Sequence, residues 1–228
     1  MSDVRASFGS HVDHLIAAIP HNNSTIDLQA LFFKLTLDSA TAILFGESTH
    51  CLLPDHRNTR TVSFAKSWTR AQVAIPRHSK NGFLDKLIPD PIFKADVKLI
   101  HDFVDGYVRQ GLAYRTVHQS EPETPKPPYV FLHALVQQTT DPVQIRSELL
   151  NILVAGRDTT ASLLSNVWWT LARRRDIWVK LRVEVDGLGG REPTFADIKE
   201  MKYLTAVLKE CPYHSFSPPP VSPLVTSI

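Results

Sequence analysis

Apolar residues recur at spacings of three and four through most of the chain, a helical period. The first predicted helix runs from Asp27 to Phe45, with Leu28, Leu31, Phe32, Leu35, Ala42 and Ile43 on one face. Ser24, with Asp27 three residues later, is its expected N-cap, and Gly46 its left-handed end. A second helix fits Thr61–Ile75, with Phe64, Ala65 and Trp68 inward and Pro76 as the stop. Asp90-Pro91 opens a third, which Ile92, Leu99, Phe103 and Tyr107 carry to Leu112. A short helix fits Tyr129–Gln138. Asp141-Pro142 then starts the longest one, over 142–175, with Ile145, Leu149, Ile152, Leu153, Leu163, Leu164, Val167, Trp168 and Leu171 at helical spacings. At 1.5 Å per residue, about 30 residues of it would reach roughly 45 Å, enough to cross a domain. Residues 176–186 form an amphipathic helix through Trp178, Leu181 and Val185, ended by Gly187, Gly189 and Gly190. Thr194 caps a short helix, and another begins near Met201 and halts at Cys211-Pro212. No run of four alternating positions predicts a strand, and no repeat is present. The expected fold is all-α, built around one long central helix.

Composition adds boundaries. Of 16 prolines in 228 residues, many fall in a polar loop at 119–128 and in the last 18 residues. That tail cannot build a core and reads as disordered, which divides the chain into a folded 1–210 and a tail, 211–228. The net charge of +2 and the single short cluster Arg173-Arg174-Arg175, at a helix end, give no nucleic-acid footprint. Two distant cysteines, Cys51 and Cys211, form neither a disulfide framework nor a zinc site and point to a reducing compartment. His11 with His14, and His50 and Cys51 with His56, are pairs without a convincing further ligand, so no metal site is expected. No apolar run reaches the ~18 residues of a membrane span, and Met1 to Arg5 open no signal peptide.

One stretch breaks the rules of a long buried helix. Gly156 costs about 1 kcal/mol relative to alanine. Thr159 and Thr160 are poor helix formers whose hydroxyls compete for backbone carbonyls. Asp158 sets a carboxylate near Leu153, Leu163 and Leu164. Two readings account for this. In one, a bent helix faces a ligand, with Gly156 allowing close approach and Asp158 and Thr159 offering a proton path. In the other, the helix merely kinks, Asp158 is solvated and both threonines bond back.

The wording Ala155-Gly156-Arg157-Asp158-Thr159-Thr160 resembles the central-helix motif of cytochromes P450: alanine or glycine, glycine, any residue, an acid, then two threonines. Glu148-Leu149-Leu150-Asn151-Ile152-Leu153-Val154 before it and Ala161-Ser162-Leu163-Leu164-Ser165 after it are similar to fungal members. Phe32-Phe33-Lys34-Leu35-Thr36-Leu37-Asp38-Ser39-Ala40-Thr41, with Phe45-Gly46-Glu47-Ser48, resembles an earlier helix of fungal alkane and fatty-acid hydroxylases. Tyr129-Val130-Phe131-Leu132-His133 resembles the lead into the central helix. The likeness spans roughly residues 11–210.

The resemblance implies a partial cytochrome P450 fold and a haem-thiolate monooxygenase that inserts one atom of O2 into a small apolar substrate such as an alkane or fatty acid. Ala155 and Gly156 would line the oxygen groove over the haem, with Thr160 on the cofactor-binding side. Asp158 would deliver protons and Thr159 would hold the dioxygen. Thr160, turned about 100° from Thr159, is expected to bond back to the helix. Substrate contacts would come from this helix and those near 61–75 and 91–112. An NADPH-dependent reductase and the endoplasmic reticulum membrane are the implied partner and location.

The chain departs from the family in three places. The haem-ligating cysteine in its glycine-rich loop is missing, and neither Cys51 nor Cys211 stands in such a context. Glu210 matches the start of a glutamate-x-x-arginine motif, yet position 213 is Tyr213. The N-terminal β-rich part is missing too. The expectation is a truncated or mis-spliced product, inactive alone; the alternative is a non-catalytic helical or partner-binding protein.

Overall fold

A computed structural model describes residues 2–22, 24–53, 59–82, 88–118 and 130–214, with side chains unassigned at 2–7, 117–118 and 212–214. Among the described residues there are helices and no strands: α1 (Ser2–Ala17), α2 (Leu28–Phe45), α3 (Thr59–Asn81), α4 (Pro91–His118), α5 (Phe131–Gln138), α6 (Pro142–Arg173), α7 (Arg175–Asp186), α8 (Phe195–Glu200) and α9 (Lys202–His214). The all-α expectation holds. The chain forms two compact units, one of residues 1–18 and 34–157, the other of 19–33 and 158–228. α6 runs through both and is α-helical without interruption.

In the first unit α3 and α4 pack lengthwise around an aromatic core. Phe64 stacks on Phe103 at 4.0 Å between ring centroids, and Phe45 on Tyr107 at 4.8 Å. Ile145, Leu149 and Leu153 of α6 complete that core, each fully buried. α5 lies close against α4 because position 111 is glycine: a Cβ there would stand 2.8 Å from Leu132 Cγ. The Arg70 guanidinium grips Asp96 and joins α3 to α4. Behind α2 the buried Asp38 carboxylate accepts bonds from the Thr49 hydroxyl (2.7 Å), the Cys51 amide (2.7 Å) and the Leu52 amide (3.1 Å). A buried carboxylate needs such donors, and these shape the loop after α2.

The second unit has its own small core of Val167, Leu171, Leu181, Val207 and Cys211. The Glu184 carboxylate accepts from the Tyr203 amide (3.0 Å) and the Leu204 amide (2.8 Å), capping α9 from α7. Thr194 and Asp197 form a capping box at α8, as the sequence predicts for Thr194.

Several boundaries differ from expectation. α1 is unanticipated, although Phe8, Val12, Leu15 and Ile16 stand at helical spacing; of its described side chains only His11 and Leu15 are buried. Asp27, not Ser24, caps α2, accepting the Ala30 amide at 3.1 Å. Gly46 ends α2 at φ 78°, as expected. Pro76 does not stop α3. It lies on an exposed turn of the helix, and the residues beyond it are held. Arg77 pairs with Asp90, His78 approaches Asp90 at 3.5 Å, and the His78 ring stacks on Phe93 at 4.2 Å. α6 ends at Arg173, two residues early, and α9 passes Cys211 and Pro212. The 18 residues of α2 have the length and apolar composition of a membrane span, although Lys34 and Asp38 interrupt the run; half of the helix is buried within the protein. The loop 119–128, Tyr129 and residues 215–228 lie outside the described residues.

Candidate functional site

The buried face of α6 is a row at steps of four: Ile145, Leu149, Leu153, Arg157, Ala161 and Ser165, all below a tenth exposed. This row fixes what the rest of the helix presents. Ala155, Gly156, Thr159 and Thr160 are exposed, and Asp158 is half-buried. Ala155 and Thr159 are one turn apart, and Gly156 lies three residues before Thr159, so the three share a side. Glu148, Asn151 and Ile152 extend the exposed stretch toward the N-terminus. A Cβ built on Gly156 would meet nothing within 4 Å. Packing inside this chain therefore does not require glycine there.

The expected back-bond of Thr160 is not made among the described residues. The Ser165 hydroxyl does bond back, 2.7 Å from the Ala161 carbonyl. Thr160 is exposed beside Thr159 because the buried row passes through Arg157 and Ala161, which leaves both threonines clear of it. The residue that the motif leaves unspecified, Arg157, is the one the fold buries, at 5% exposed. Its Nη2 donates to the Thr69 hydroxyl of α3 at 3.3 Å. The signal was present in sequence as a charged residue on the fourth step of the row Ile145, Leu149, Leu153.

Neither described cysteine is kept as a thiolate. Burial pushes the Cys51 thiol up to about 11, and the thiol donates to Thr49 Oγ1 at 3.4 Å. Burial raises Cys211 as well. The rings of His11 and His14 stand 6.3 Å apart, and no group of three metal-ligating side chains occurs among the described residues. His56 lies outside the described residues. Of the basic cluster, Arg174 pairs with Asp176 at 2.8 Å and Arg173 lies 4.0 Å over the Trp169 ring. Glu210 is exposed on α9. Two grooves along α4, one floored by Leu99 and Phe103 and one by Phe93 and Val97, take in no motif residue.

Comparison with known proteins gives one answer. The family described as Cytochrome P450 matches residues 5–211. Cytochrome P450 52A5 of Candida maltosa is 39% identical over 222 residues, covering 88% of this chain and 40% of that protein. A Cytochrome P450 of Arthroderma benhamiae is 35% identical over 204 residues, covering 87% of this chain and 41% of that protein. Among solved structures, the haem domain of cytochrome P450DA superposes with a TM-score of 0.71 at 18% identity, over 90% of this chain and 44% of that one. The chain thus spans about two fifths of the length of the curated relatives it matches. A family match over nearly all of the described helices, around a central helix whose exposed turn carries Ala155, Gly156 and Thr159, leads to one conclusion: this chain belongs to the cytochrome P450 family.

Proposed function

We propose that this chain is the oxygen-side part of a haem monooxygenase that inserts one atom of O2 into an aliphatic substrate such as an alkane or fatty acid. The observation that carries this reading is Gly156, a glycine in mid-helix with open space over it. A helix gives up about 1 kcal/mol for such a residue, and nothing among the described residues uses the room. A flat cofactor lying close to the backbone would use it. Haem would supply oxygen activation. The described residues fit its oxygen side: Ala155 and Gly156 as the surface it approaches, with Thr159 and Thr160 at the rim. Neither Cys51 nor Cys211 would supply its thiolate, because burial favours the neutral thiol at both.

Within this reading Asp158, half-buried, passes protons from solvent toward the exposed side of α6, and the Thr159 hydroxyl orients the last one. The folded part reaches past the expected boundary at 210, because α9 runs on to His214 and Cys211 belongs to the core. The substrate is small and apolar, the electrons come from an NADPH-dependent reductase, and the protein works at the endoplasmic reticulum membrane. The substrate, reductase and membrane readings rest on the likeness to fungal 52A relatives at 36–39% identity.

The test uses a chimera that joins this chain to the C-terminal part of a 52A relative. In Thr159→Ala, reductant consumption continues while product per reductant falls by about tenfold or more and peroxide rises. Thr160→Ala keeps its coupling. Equal coupling in the parent chimera and Thr159→Ala would remove Thr159 from the chemistry.

A further inference from the structure

We propose that Arg157 is the positioning residue of this site: through the Thr69 hydroxyl of α3 it holds, from the buried side, the turn of α6 whose other side carries Ala155, Gly156 and Thr159. The inference rests on the reading of that turn as the oxygen-facing site.

Arg157 is out of place by the ordinary rules. It occupies a step in a row that is otherwise Ile145, Leu149, Leu153, Ala161 and Ser165. Sinking a guanidinium into such a row costs desolvation, and an apolar side chain of similar length would fill the space without it. Where one step of a pattern breaks the rule that its neighbours keep, function is the first explanation to try.

The contact has a direction. The Thr69 hydroxyl donates to the Ala65 carbonyl at 3.0 Å, so its proton is engaged and its lone pairs are left for the Arg157 N–H at 3.3 Å. The main chain of α3 therefore orients Thr69, and Thr69 orients Arg157. α3 is itself tied to α4 through Arg70 and Asp96. On α6, Gly156, Thr159 and Thr160 are weak helix formers in one turn. That turn lacks local stiffness and gains it from an outside anchor. Arg suits the task because its planar fork loses little freedom per bond formed. Asp158 and Thr159 follow Arg157 directly, so a rotation of Arg157 about the helix axis turns both.

The experiment is site-resolved hydrogen exchange on the 228-residue chain with three variants. Arg157→Met keeps the row filled, Thr69→Val removes the acceptor and leaves the row intact, and Thr69→Ser keeps the hydroxyl. The expected result is exchange faster by about tenfold at the amides of 156–161 in Arg157→Met and Thr69→Val, unchanged protection at 145–153, and wild-type behaviour in Thr69→Ser. Unchanged protection at 156–161 in Thr69→Val overturns the proposal. So does equal loss in Thr69→Ser, or a loss in Thr69→Val that extends evenly through 145–153. None of these readings involves haem, so a failure of the coupling test in the chimera leaves this result standing, and the reverse also holds.

Discussion

Gly156 separates stability from function at a single residue. A methyl group there meets no atom within 4 Å, so no clash opposes it. Gly156→Ala should therefore stabilise the chain by about 1 kcal/mol through helix propensity alone. In the chimera the same methyl would stand in the oxygen groove and lower activity. Thermal or urea unfolding of the 228-residue chain measures the first effect. A loss of stability would show that Gly156 serves the chain's own packing and would weaken the case for a cofactor over it. The neighbouring residues show what a motif can tell. Its identity was legible in the letters 155–160. The exposure of Ala155, Gly156 and Thr159, the clearance of Thr160 and the burial of Arg157 were not, because they depend on which row of α6 faces Phe64, Trp68 and Phe103, all far away in sequence.

At the scale of the helix, α1 offers a test of pH. His11 is buried, and neither ring nitrogen finds a hydrogen-bond partner among the described residues. Burial holds its pKa below the ordinary 6.5; His14 of α1 and His50 of the loop after α2 push it the same way, and the Asp38 carboxylate of α2 opposes them. The sign follows from linkage. As pH falls through about 6.5, an undocked α1 takes up a proton that the docked helix refuses. Docking is therefore at full strength above that range and weakens as acid is added. Amide protection of α1, corrected for intrinsic exchange, should drop between about pH 7 and pH 5, and His11→Phe should flatten the dependence. Equal slopes in the two proteins would show that His11 is not buried in solution. The same helix shows why an element can be hidden in sequence. α1 carries Phe8, Val12, Leu15 and Ile16 at helical spacing, yet it buries His11 and Leu15 and exposes Phe8, Val12 and Ile16, so the face its apolar residues mark is not the one that docks. α3 erred the other way. Pro76 is a strong local stop, and the contacts of Arg77 and His78 with Asp90 and Phe93 carried the helix past it.

At the scale of the whole chain, the axial side is the decisive question. Cys51 donates its thiol to Thr49, and Cys211 belongs to the core with Val207 and Leu171. In haem-thiolate proteins the cysteine must bind iron as a thiolate. The 228-residue chain titrated with haem and reduced under carbon monoxide should show no thiolate-type Soret band. Such a band would mean that one of these cysteines rearranges to reach iron. What the sequence by itself determined was local. Asp90-Pro91, Asp141-Pro142, Thr194 and Gly46 placed helix ends, the three-and-four spacing placed the long helix, and residues 155–160 named the family. Each signal acts within a few residues of chain, through a cap, a fixed φ or a periodic face. Tertiary structure alone decided the docking of α1, the survival of α3 beyond Pro76, the two cores along α6 and the anchoring of Arg157 on Thr69. Those depend on burial against partners many residues away, a free energy that no local window of sequence contains.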